Sequence, residues 1–441
     1  MLNLGLQLFN QNALNMRIDK IEIQNFRGFR QQTFEFPEQF TVFIGDNGEG
    51  KTSAIEALSV AIGAYLLGIP TDKKRHINSD SKRDGEIHIR DFGDYFAPQY
   101  PASITAFGQI DGQTIQWKRE NNGGRTTTKD ARSISEIAVA HEIAVNKKGE
   151  RIDLPILAKY GTGRLFVEKS QHIATKEKPS KLREGYYACL ESKSDSSWLE
   201  WFHTYEYNVK TRGKDETLLN AIKTAISACI DNWTDIYFDF EDNDLIGTRL
   251  LPNNEKIRMA FRHLSDGQRN IVGMVAELAY RCITLNGHLG ENAVKGSKGV
   301  VLIDEIDQHL HPNWQRHVVN DLKTAFPNLQ FIATTHSPFI VQSLKANELI
   351  NLEALNDTNP SELSIEDIAI NIMGVESNFG EISQQQEQLS QTYFELLENK
   401  NGSTPSVKTY QLDELESKII DPATRAFLQM KRLKKQVTQT I

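Results

Sequence analysis

The sequence predicts an α/β protein with a mixed core sheet, an antiparallel β subdomain, a helical insertion and a helical C-terminal region. Two apolar runs, TVFI at 41–44 and GVVLID at 299–304, are typical of core strands, and helical patterns follow them at 51–66 and 312–325. Residues 86–119 hold short strand-like runs, among them SITAF and TIQWK, separated by glycine and proline turns. That pattern indicates antiparallel strands beside the core.

The order of these patterns divides the chain into five predicted parts. They are an apolar N-terminal extension at 1–15, a first core part at 16–120, a largely helical insertion at 121–224, a second core part at 225–350 and a helical C-terminal region at 351–441. The extension carries no charged residue, so it is either the product of an upstream start codon or an apolar segment that docks on a neighbour. A secretory signal is rejected because it would begin with basic residues and have a longer apolar centre.

The composition is that of an acidic globular protein. Of its 441 residues, 39% are hydrophobic and 24% are charged, and the formal net charge is −8. A nucleic-acid partner would therefore need a local basic patch. The three cysteines are scattered and form no CxxC pair, which favours a cytoplasmic location. No apolar run approaches the roughly 18 residues of a membrane span, so we expect no membrane partner.

The stretch GDNGEGKT fits the phosphate-binding pattern G-x-x-x-x-G-K-[ST], the P-loop or Walker A motif, and it lies between a strand and a helix. Its glycines let successive N–H groups turn toward phosphate oxygens, and the positive end of the helix points at the same anion. Lys51 is predicted to reach the β- and γ-phosphates, and Thr52 to bind Mg²⁺. The alternative is a glycine loop that only closes a tight turn. The predicted nucleotide-binding residues here are Gly45, Asp46, Asn47, Gly48, Glu49, Gly50, Lys51, Thr52 and Ser53.

The run VVLIDE at 300–305 predicts the hydrolytic part of the same site, the Walker B strand. Four apolar residues place the strand in a core, and two acids emerge at its carboxyl end. We expect Asp304 to hold Mg²⁺ through water and Glu305 to orient or deprotonate the attacking water. A strand end of this kind could reflect solvent exposure alone, but its pairing with the P-loop indicates ATP hydrolysis.

The pentapeptide LSDGQ at 264–268 lies just ahead of a helix, between the other two motifs. At these residues the sequence resembles the ABC-type ATPases of the SMC-like and OLD-like branch, whose signature is LSGGQ. The resemblance implies an ABC-type P-loop ATPase head and a head-to-tail dimer, in which this turn serves the ATP bound by the other subunit. Asp266 stands where the signature has its first glycine. This replacement keeps the hydroxyl of Ser265 and the N–H of Gly267, but it adds a negative charge near a phosphate. The signature residues are Leu264, Ser265, Asp266, Gly267 and Gln268.

Three more positions match this family in the expected order. The resemblance assigns Asp307 to the D-loop, which couples the two sites, and His336 in QFIATTH to the switch histidine that contacts the γ-phosphate. Arg27 in QNFRGF matches an arginine that approaches the nucleotide. The alternative for His336 is a strand-end histidine with a structural hydrogen bond. The predicted catalytic set is therefore Lys51, Glu305 and His336.

The motif HLHP, with His309 and His311, has a spacing that can bind zinc. No third or fourth ligand is near it in the sequence, and the resembled branch carries HLHP without a metal. We therefore predict no zinc site at these histidines.

The glutamine loop of the ABC-type family has no glutamine at the equivalent place here. That place is the stretch LPILAKYGTGRLF at 154–166. Tyr160, Gly161 or Arg164 could replace the missing side chain, so its contact with Mg²⁺ or the γ-phosphate stays open.

The insertion carries a narrower resemblance. The stretches PILAKYGTGR, GYYACL and SSWLEWF are similar to the PtuA family of Septu defence ATPases and their retron-associated relatives, over most of 16–435. That resemblance implies a homodimer or higher even homo-oligomer and an HNH-type nuclease partner in antiphage defence. OLD-type relatives carry their own nuclease, which needs an Asp-x-Asp triplet, and none follows His336. We therefore expect another chain to cut nucleic acid.

Two other functions stay open at the level of the sequence. One is an SMC- or RecF-like repair ATPase that acts on DNA by itself, and the other is a nucleotide-gated scaffold with negligible turnover. DNA or a retron RNA–DNA hybrid is a further candidate partner, with the basic run MKRLKK at 430–435 as a candidate contact. Cations at a helix end already stabilise the helix dipole, so a solvated helix end is the favoured interpretation of that run.

Overall fold

A computed structural model describes most of the chain, in two compact units, Met1–Met373 and Gly374–Ile441. The N-terminal extension lies outside the described residues. Those residues are 16–70, 86–163, 180–191, 197–230, 233–251, 255–353, 359–374, 381–398, 405–419, 425 and 428–432.

The strands follow the predicted alternation of core and antiparallel segments. In chain order they are β1 (Met16–Phe26), β2 (Phe29–Glu35), β3 (Phe40–Ile44), β4 (Ile89–Asp91), β5 (Phe96–Pro98), β6 (Ala102–Ile110), β7 (Gln113–Asn121), β8 (Thr126–Thr127), β9 (Ile156–Tyr160), β10 (Trp233–Asp239), β11 (Asp244–Leu250), β12 (Lys256–Ala260), β13 (Gly299–Ile303), β14 (Leu329–Thr334) and β15 (Leu349–Asn351).

The helices lie between these strands and after them. In chain order they are α1 (Lys51–Ile62), α2 (Arg132–Glu142), α3 (Lys181–Gly185), α4 (Ser197–Arg212), α5 (Thr217–Ala228), α6 (Asp266–Asn286), α7 (Ala293–Gly296), α8 (Pro312–Gln315), α9 (Val318–Ala325), α10 (Pro338–Gln342), α11 (Ile365–Asp367), α12 (Glu381–Glu398) and α13 (Pro405–Lys418).

The core of the first unit is a five-stranded sheet in the order β15-β3-β14-β13-β9. All four pairings are parallel, and β3, β9, β13 and β14 are buried along their whole length. Strands that are buried at every residue suit a parallel sheet that is covered on both faces. The predicted α/β class is confirmed, with the antiparallel pairing confined to the other sheets.

The antiparallel subdomain is a second five-stranded sheet, in the order β2-β1-β6-β7-β8. Helix α1 joins it to the core, because the indole N–H of Trp117 donates to the carbonyl of Ala61 at 2.8 Å. The side chain of Gln330 on β14 also bonds both backbone groups of Ile18 on β1, at 2.8 and 2.9 Å. The second sheet is thereby fixed to the helix that follows the P-loop and to a core strand.

The predicted insertion contributes more than helices. Strand β9, at Ile156–Tyr160, belongs to the core sheet through its pairing with β13. Segment 181–190 is fixed to α6 by Arg281, a buried side chain that pairs with Glu277 at 2.7 Å and donates to the carbonyls of Gly185 and Tyr187. The buried Arg281 therefore connects the predicted insertion to α6, the helix that begins at the LSDGQ turn.

The second unit contains the helices α12 and α13, which share a small apolar cluster that includes Tyr393, Leu397 and Leu412. Arg432 pairs there with Asp413 and Glu416, at 2.6 and 3.0 Å. One cation of the run MKRLKK is thus held within its own unit, and 433–435 lie outside the described residues.

No helix in the described part of the chain is long and apolar enough to cross a bilayer. Cys189, Cys229 and Cys282 are all buried free thiols, and burial raises the pKa of each. A raised pKa keeps a thiol protonated and poorly reactive.

Candidate nucleotide-binding site

The P-loop connects β3 to α1 through backbone conformations that favour glycine. Gly45, Gly48 and Gly50 have φ angles of +148°, +96° and +100°. A Cβ atom on Gly50 would lie 2.8 Å from the ring of Phe29, which closes the loop from the side of the antiparallel sheet. The loop therefore needs glycine both for its backbone conformation and for this close packing.

Lys51 lies at the first position of α1 with 7% of its surface exposed. Its ammonium group donates to the carbonyls of Gly45 and Asp46 at 2.6 and 2.9 Å. Burial lowers the pKa of Lys51, and the carboxylates of Asp46 and Glu353 act in the opposite direction. The lysine is thus folded back over its own loop, as a cation ready for an incoming anion.

The predicted metal ligands lie together at the carboxyl end of the core sheet. Thr52 donates from its hydroxyl to Asp304 Oδ2 at 3.1 Å, across 252 residues of sequence. Asp304 is 4% exposed. A threonine hydroxyl beside a carboxylate offers the hard oxygen ligands that Mg²⁺ prefers. This donor set fits a magnesium ion bound together with a nucleotide.

Thr334, at the end of β14, is a site residue that motif analysis missed. Its hydroxyl donates to Asp304 Oδ1 at 2.7 Å and accepts from the backbone N–H of Glu305, also at 2.7 Å. Glu305 itself has a φ of +51°, an uncommon conformation for a residue with a side chain. One hydroxyl therefore orients the predicted metal ligand and the backbone of the predicted catalytic acid. The only signal in the sequence is that Thr334 ends the strand just before His336.

We expect Thr334→Val to reduce ATP turnover about tenfold or more, since an unsatisfied buried polar group costs about 1–3 kcal/mol. The substitution keeps the shape of the side chain but removes the hydrogen bonds that Thr334 makes with Asp304 Oδ1 and with the Glu305 N–H. Steady-state ATPase rates measure the effect, and Thr334→Ser should retain most of the activity. Thr41→Val on β3 is the matched control, because the Thr41 hydroxyl is buried without a hydrogen-bond partner in the described structure. Equal rates for the two valine variants would contradict the role of Thr334.

The predicted D-loop and switch residues also lie together. Thr335 donates from its hydroxyl to Asp307 Oδ1, and the backbone N–H of His336 donates to the same oxygen at 3.4 Å. The side chain of His336 is exposed. Asp307 thus fixes the backbone from which the histidine projects.

The LSDGQ turn caps the N-terminus of α6. Ser265 accepts from the N–H of Gln268 at 3.3 Å, and the Gln268 side chain accepts from the N–H of Ser265 at 3.1 Å, which forms a capping box. Asp266 is exposed and pairs with Arg269, one turn along the helix. That pairing partly neutralises the charge that Asp266 brings in place of glycine. Leu264 is buried and anchors the turn.

Gly267 packs against the HLHP segment. A Cβ atom on Gly267 would lie 2.2 Å from the carbonyl oxygen of His309. His311 caps α8, because its Nδ1 accepts from the N–H of Asn313 at 3.3 Å. These two contacts give the motif a packing and capping role.

The three candidates for the glutamine-loop position differ in their exposure and in whether the structure describes them. Tyr160 is 1% exposed, and its hydroxyl donates to the carbonyl of Met274 at 3.4 Å, away from solvent. Burial raises the pKa of Tyr160 well above its ordinary value. Gly161 follows directly after β9, and Arg164 lies outside the described residues. Tyr160 is therefore used in packing against α6.

Arg27 lies in the turn between β1 and β2, and its guanidinium pairs with the buried carboxylate of Glu86 at 3.3 Å. Its backbone N–H donates to the carbonyl of Glu86 at 2.8 Å. Phe29, two residues further on, contacts Gly50 of the P-loop. The structure thus places Arg27 on the turn that packs against the loop, with its charge held by Glu86.

A P-loop, an acidic strand end and a capped LSDGQ turn lie around a parallel sheet, and together they have the features of an ABC-type P-loop ATPase head. The chain belongs to the family described as "AAA domain, putative AbiEii toxin, Type IV TA system", which matches residues 40–342.

Two named relatives are similar to the chain over most of its length. It is 31% identical to the Septu protein PtuA of Bacillus thuringiensis, over 76% of this chain and 75% of that protein. It is 24% identical to the retron Vc95 probable ATPase of Vibrio cholerae serotype O1 biovar El Tor, over 77% of this chain and 74% of that protein. A solved SMC head domain from Thermotoga maritima aligns with a TM-score of 0.39 and 14% identity, over 78% of this chain and 96% of that chain.

Proposed function

We propose that this protein binds and hydrolyses ATP with Mg²⁺ as a subunit of an antiphage defence complex. The observation that carries the proposal is the hydrogen-bonded set Thr52, Asp304, Thr334 and Glu305 beside the P-loop lysine. Phosphoryl transfer depends mainly on positioning and on charge neutralisation. This set would position the Mg²⁺ and the attacking water, and Lys51 with the Mg²⁺ would neutralise the phosphate charge. The similarity to Septu and retron ATPases supports the defence role.

In this proposal each residue has a separate task. Lys51 leaves the two loop carbonyls and reaches the β- and γ-phosphates, while Glu305 orients the water that attacks the γ-phosphate. His336 donates a hydrogen bond to the γ-phosphate from an exposed position. Thr52 and Asp304 would hold Mg²⁺, which neutralises charge on the phosphate oxygens when it is bound.

We further propose that two copies enclose each ATP head to tail. The hydrogen bonds of Ser265 stay within its own turn, where the residue is exposed at the N-terminus of the 21-residue helix α6. Such a helix end attracts a phosphate, which in this arrangement belongs to the ATP on the partner's P-loop. The Gly267 contact with His309 connects the turn to the segment that follows the acidic strand.

The test of the shared site is complementation between two inactive variants, Lys51→Ala and Ser265→Arg. Each is expected to be inactive alone, since each destroys one half of both pockets. Random mixing makes about half of the dimers mixed, and each mixed dimer has one of its two pockets intact. The mixture should therefore recover about a quarter of the wild-type rate. ATPase rates are measured after co-refolding or co-expression. A mixture as inactive as its components would overturn the head-to-tail arrangement.

The proposed partner is an HNH-type nuclease subunit, and ATP turnover by this chain regulates it. The only Asp-x-Asp triplet, Asp242–Asp244, lies at the turn between β10 and β11, where Asp244 accepts from the N–H of Arg262 at 3.2 Å. A hairpin role of this kind leaves the cutting to another chain. The helices of the second unit are the candidate docking site.

Co-purification with the product of the neighbouring gene tests the regulatory role. The expected result is a stable complex whose nuclease activity on DNA or an RNA–DNA hybrid changes with the bound nucleotide. A complex that cuts under no nucleotide condition would contradict this role. DNA-stimulated ATPase activity of the lone protein, falling steeply with salt, would instead support the repair function.

A further inference from the structure

The P-loop is held at its beginning by a segment from the far side of the sequence. Strand β15 pairs in parallel with β3, ending at Asn351 beside Ile44. The pairing continues into the loop, because the N–H of Leu352 donates to the carbonyl of Ile44 at 3.0 Å. Leu352 also contacts the loop itself, with its Cβ 3.3 Å from where a Cβ of Gly45 would lie.

Glu353, the next residue, places a carboxylate on the P-loop. Its Oε1 accepts a hydrogen bond from the backbone N–H of Asp46 and lies 3.6 Å from the Cβ position of Gly45. The residue is exposed, and its carboxylate bonds the backbone of the loop. Its charge also acts on Lys51, the cation that the nucleotide needs. The Glu353 carboxylate therefore occupies a loop whose backbone N–H groups favour anions.

The backbone of Glu353 connects this contact to the end of the first unit. Asn351 accepts from the N–H of Glu353 at 2.9 Å and donates from its amide to the carbonyl of Ile372, also at 2.9 Å. Ile372 is 4% exposed and lies one residue before the end of that unit at Met373. A continuous set of hydrogen bonds therefore runs from the P-loop through Glu353 and Asn351 to the segment 359–373.

We propose that the Glu353 carboxylate competes with the nucleotide phosphates at the P-loop, and that Asn351 couples its displacement to the segment 359–373. The inference rests on the proposed ATP binding. The triphosphate brings several negative charges to the lysine that Glu353 also faces, and like charges at close range repel. Binding of ATP therefore favours the state in which Glu353 has left Asp46. By linkage, loss of the carboxylate favours ATP binding.

The first test compares ATP affinity in the wild type, Glu353→Gln and Glu136→Gln. Glutamine can still accept from the Asp46 N–H, so this substitution removes the charge and retains the hydrogen bond. We expect Glu353→Gln to bind Mg²⁺–ATP about fivefold more tightly in calorimetry, at the low end of coupling effects. The gain should shrink as salt rises. Glu136→Gln, on the exposed face of α2, removes the same charge elsewhere and should leave the affinity unchanged.

The second test measures amide hydrogen exchange over 359–373 with and without ATP. Met373 N–H bonds Ile368, and Ile368 N–H bonds Ser364, so the segment has amides that can report the change. We expect ATP to alter exchange there in the wild type. In Asn351→Ala, which breaks the link to Ile372, the response to ATP should be lost although ATP still binds.

The outcomes separate the two proposals. If Glu353→Gln binds ATP with wild-type affinity or more weakly, the carboxylate merely supports the loop and the competition is wrong. An unchanged exchange response in Asn351→Ala would overturn the coupling. Failure of the wild type to bind ATP would instead overturn the proposed function.

Discussion

Replacing Glu305 with glutamine is expected to reduce ATP turnover by about two to four orders of magnitude, the usual contribution of a positioned general base. Glutamine has nearly the same shape but cannot take a proton from water. The backbone contact of Glu305 with Thr334 does not involve the side chain, so the φ of +51° and the fold should persist. Steady-state ATPase rates measure the loss.

The same variant separates catalysis from assembly. ATP binding should stay close to wild type, so an ATP-bound dimer should accumulate, as measured by light scattering after size-exclusion chromatography. Glu305→Asp, which keeps a carboxylate one methylene shorter, should have an intermediate rate. If the wild type hydrolyses ATP and Glu305→Gln does so at the same rate, another group positions the water. If both turn over negligibly, a nucleotide-gated scaffold is the better account.

The parts of the site that could be predicted from the sequence are those that a single continuous stretch builds. The P-loop needs a strand, glycines at fixed positions and a helix start, all within 43–53. The acidic strand end could be predicted for the same reason, since both acids come directly after a buried strand. The roles of these residues remain predictions, but the structure brings Thr52 and Asp304 together as the motifs require.

The parts that could not be predicted depend on pairing between distant segments. Thr334 reaches Asp304 because β13 and β14 are neighbours, and Glu353 reaches Asp46 because β15 pairs with β3. Nothing in the local sequence of Thr334 or Glu353 distinguishes them from other polar residues after a strand. Their positions depend on the strand order β15-β3-β14-β13, which no local pattern specifies.

The place of strand β9 in the core sheet could not be predicted from its sequence either. Its five residues, ILAKY, are short and partly polar, and a helical insertion was expected around them. Lys159 within it is buried, and its ammonium pairs with Glu56 of α1 at 2.5 Å. A lysine in a core strand is rare unless it is paired, and its partner lies 103 residues away. Only the fold shows that this segment is the edge strand beside β13.

Lys51→Ala is expected to weaken ATP binding by about a hundredfold or more, because charge-assisted hydrogen bonds contribute about 1.5–3 kcal/mol each. The ammonium group already donates to Gly45 and Asp46 without nucleotide, so the variant loses the cation that both the loop and the phosphates use. Calorimetry with Mg²⁺–ATP measures the affinity. Lys256→Ala, at an exposed lysine on β12, is the matched control and should bind ATP like the wild type.

Thermal melting distinguishes a loss of ATP binding in Lys51→Ala from a loss of folding stability. Burial lowers the pKa of Lys51, so the desolvation of its ammonium group offsets the two hydrogen bonds that the group donates. Alanine should therefore change the melting temperature without ATP only slightly. In the wild type, saturating ATP should raise the melting temperature, because a ligand that binds only the folded state stabilises it. The variant should lose that rise. If Lys51→Ala still shows the full rise with ATP, the nucleotide does not depend on the Lys51 ammonium group, and the proposed binding at this P-loop is wrong.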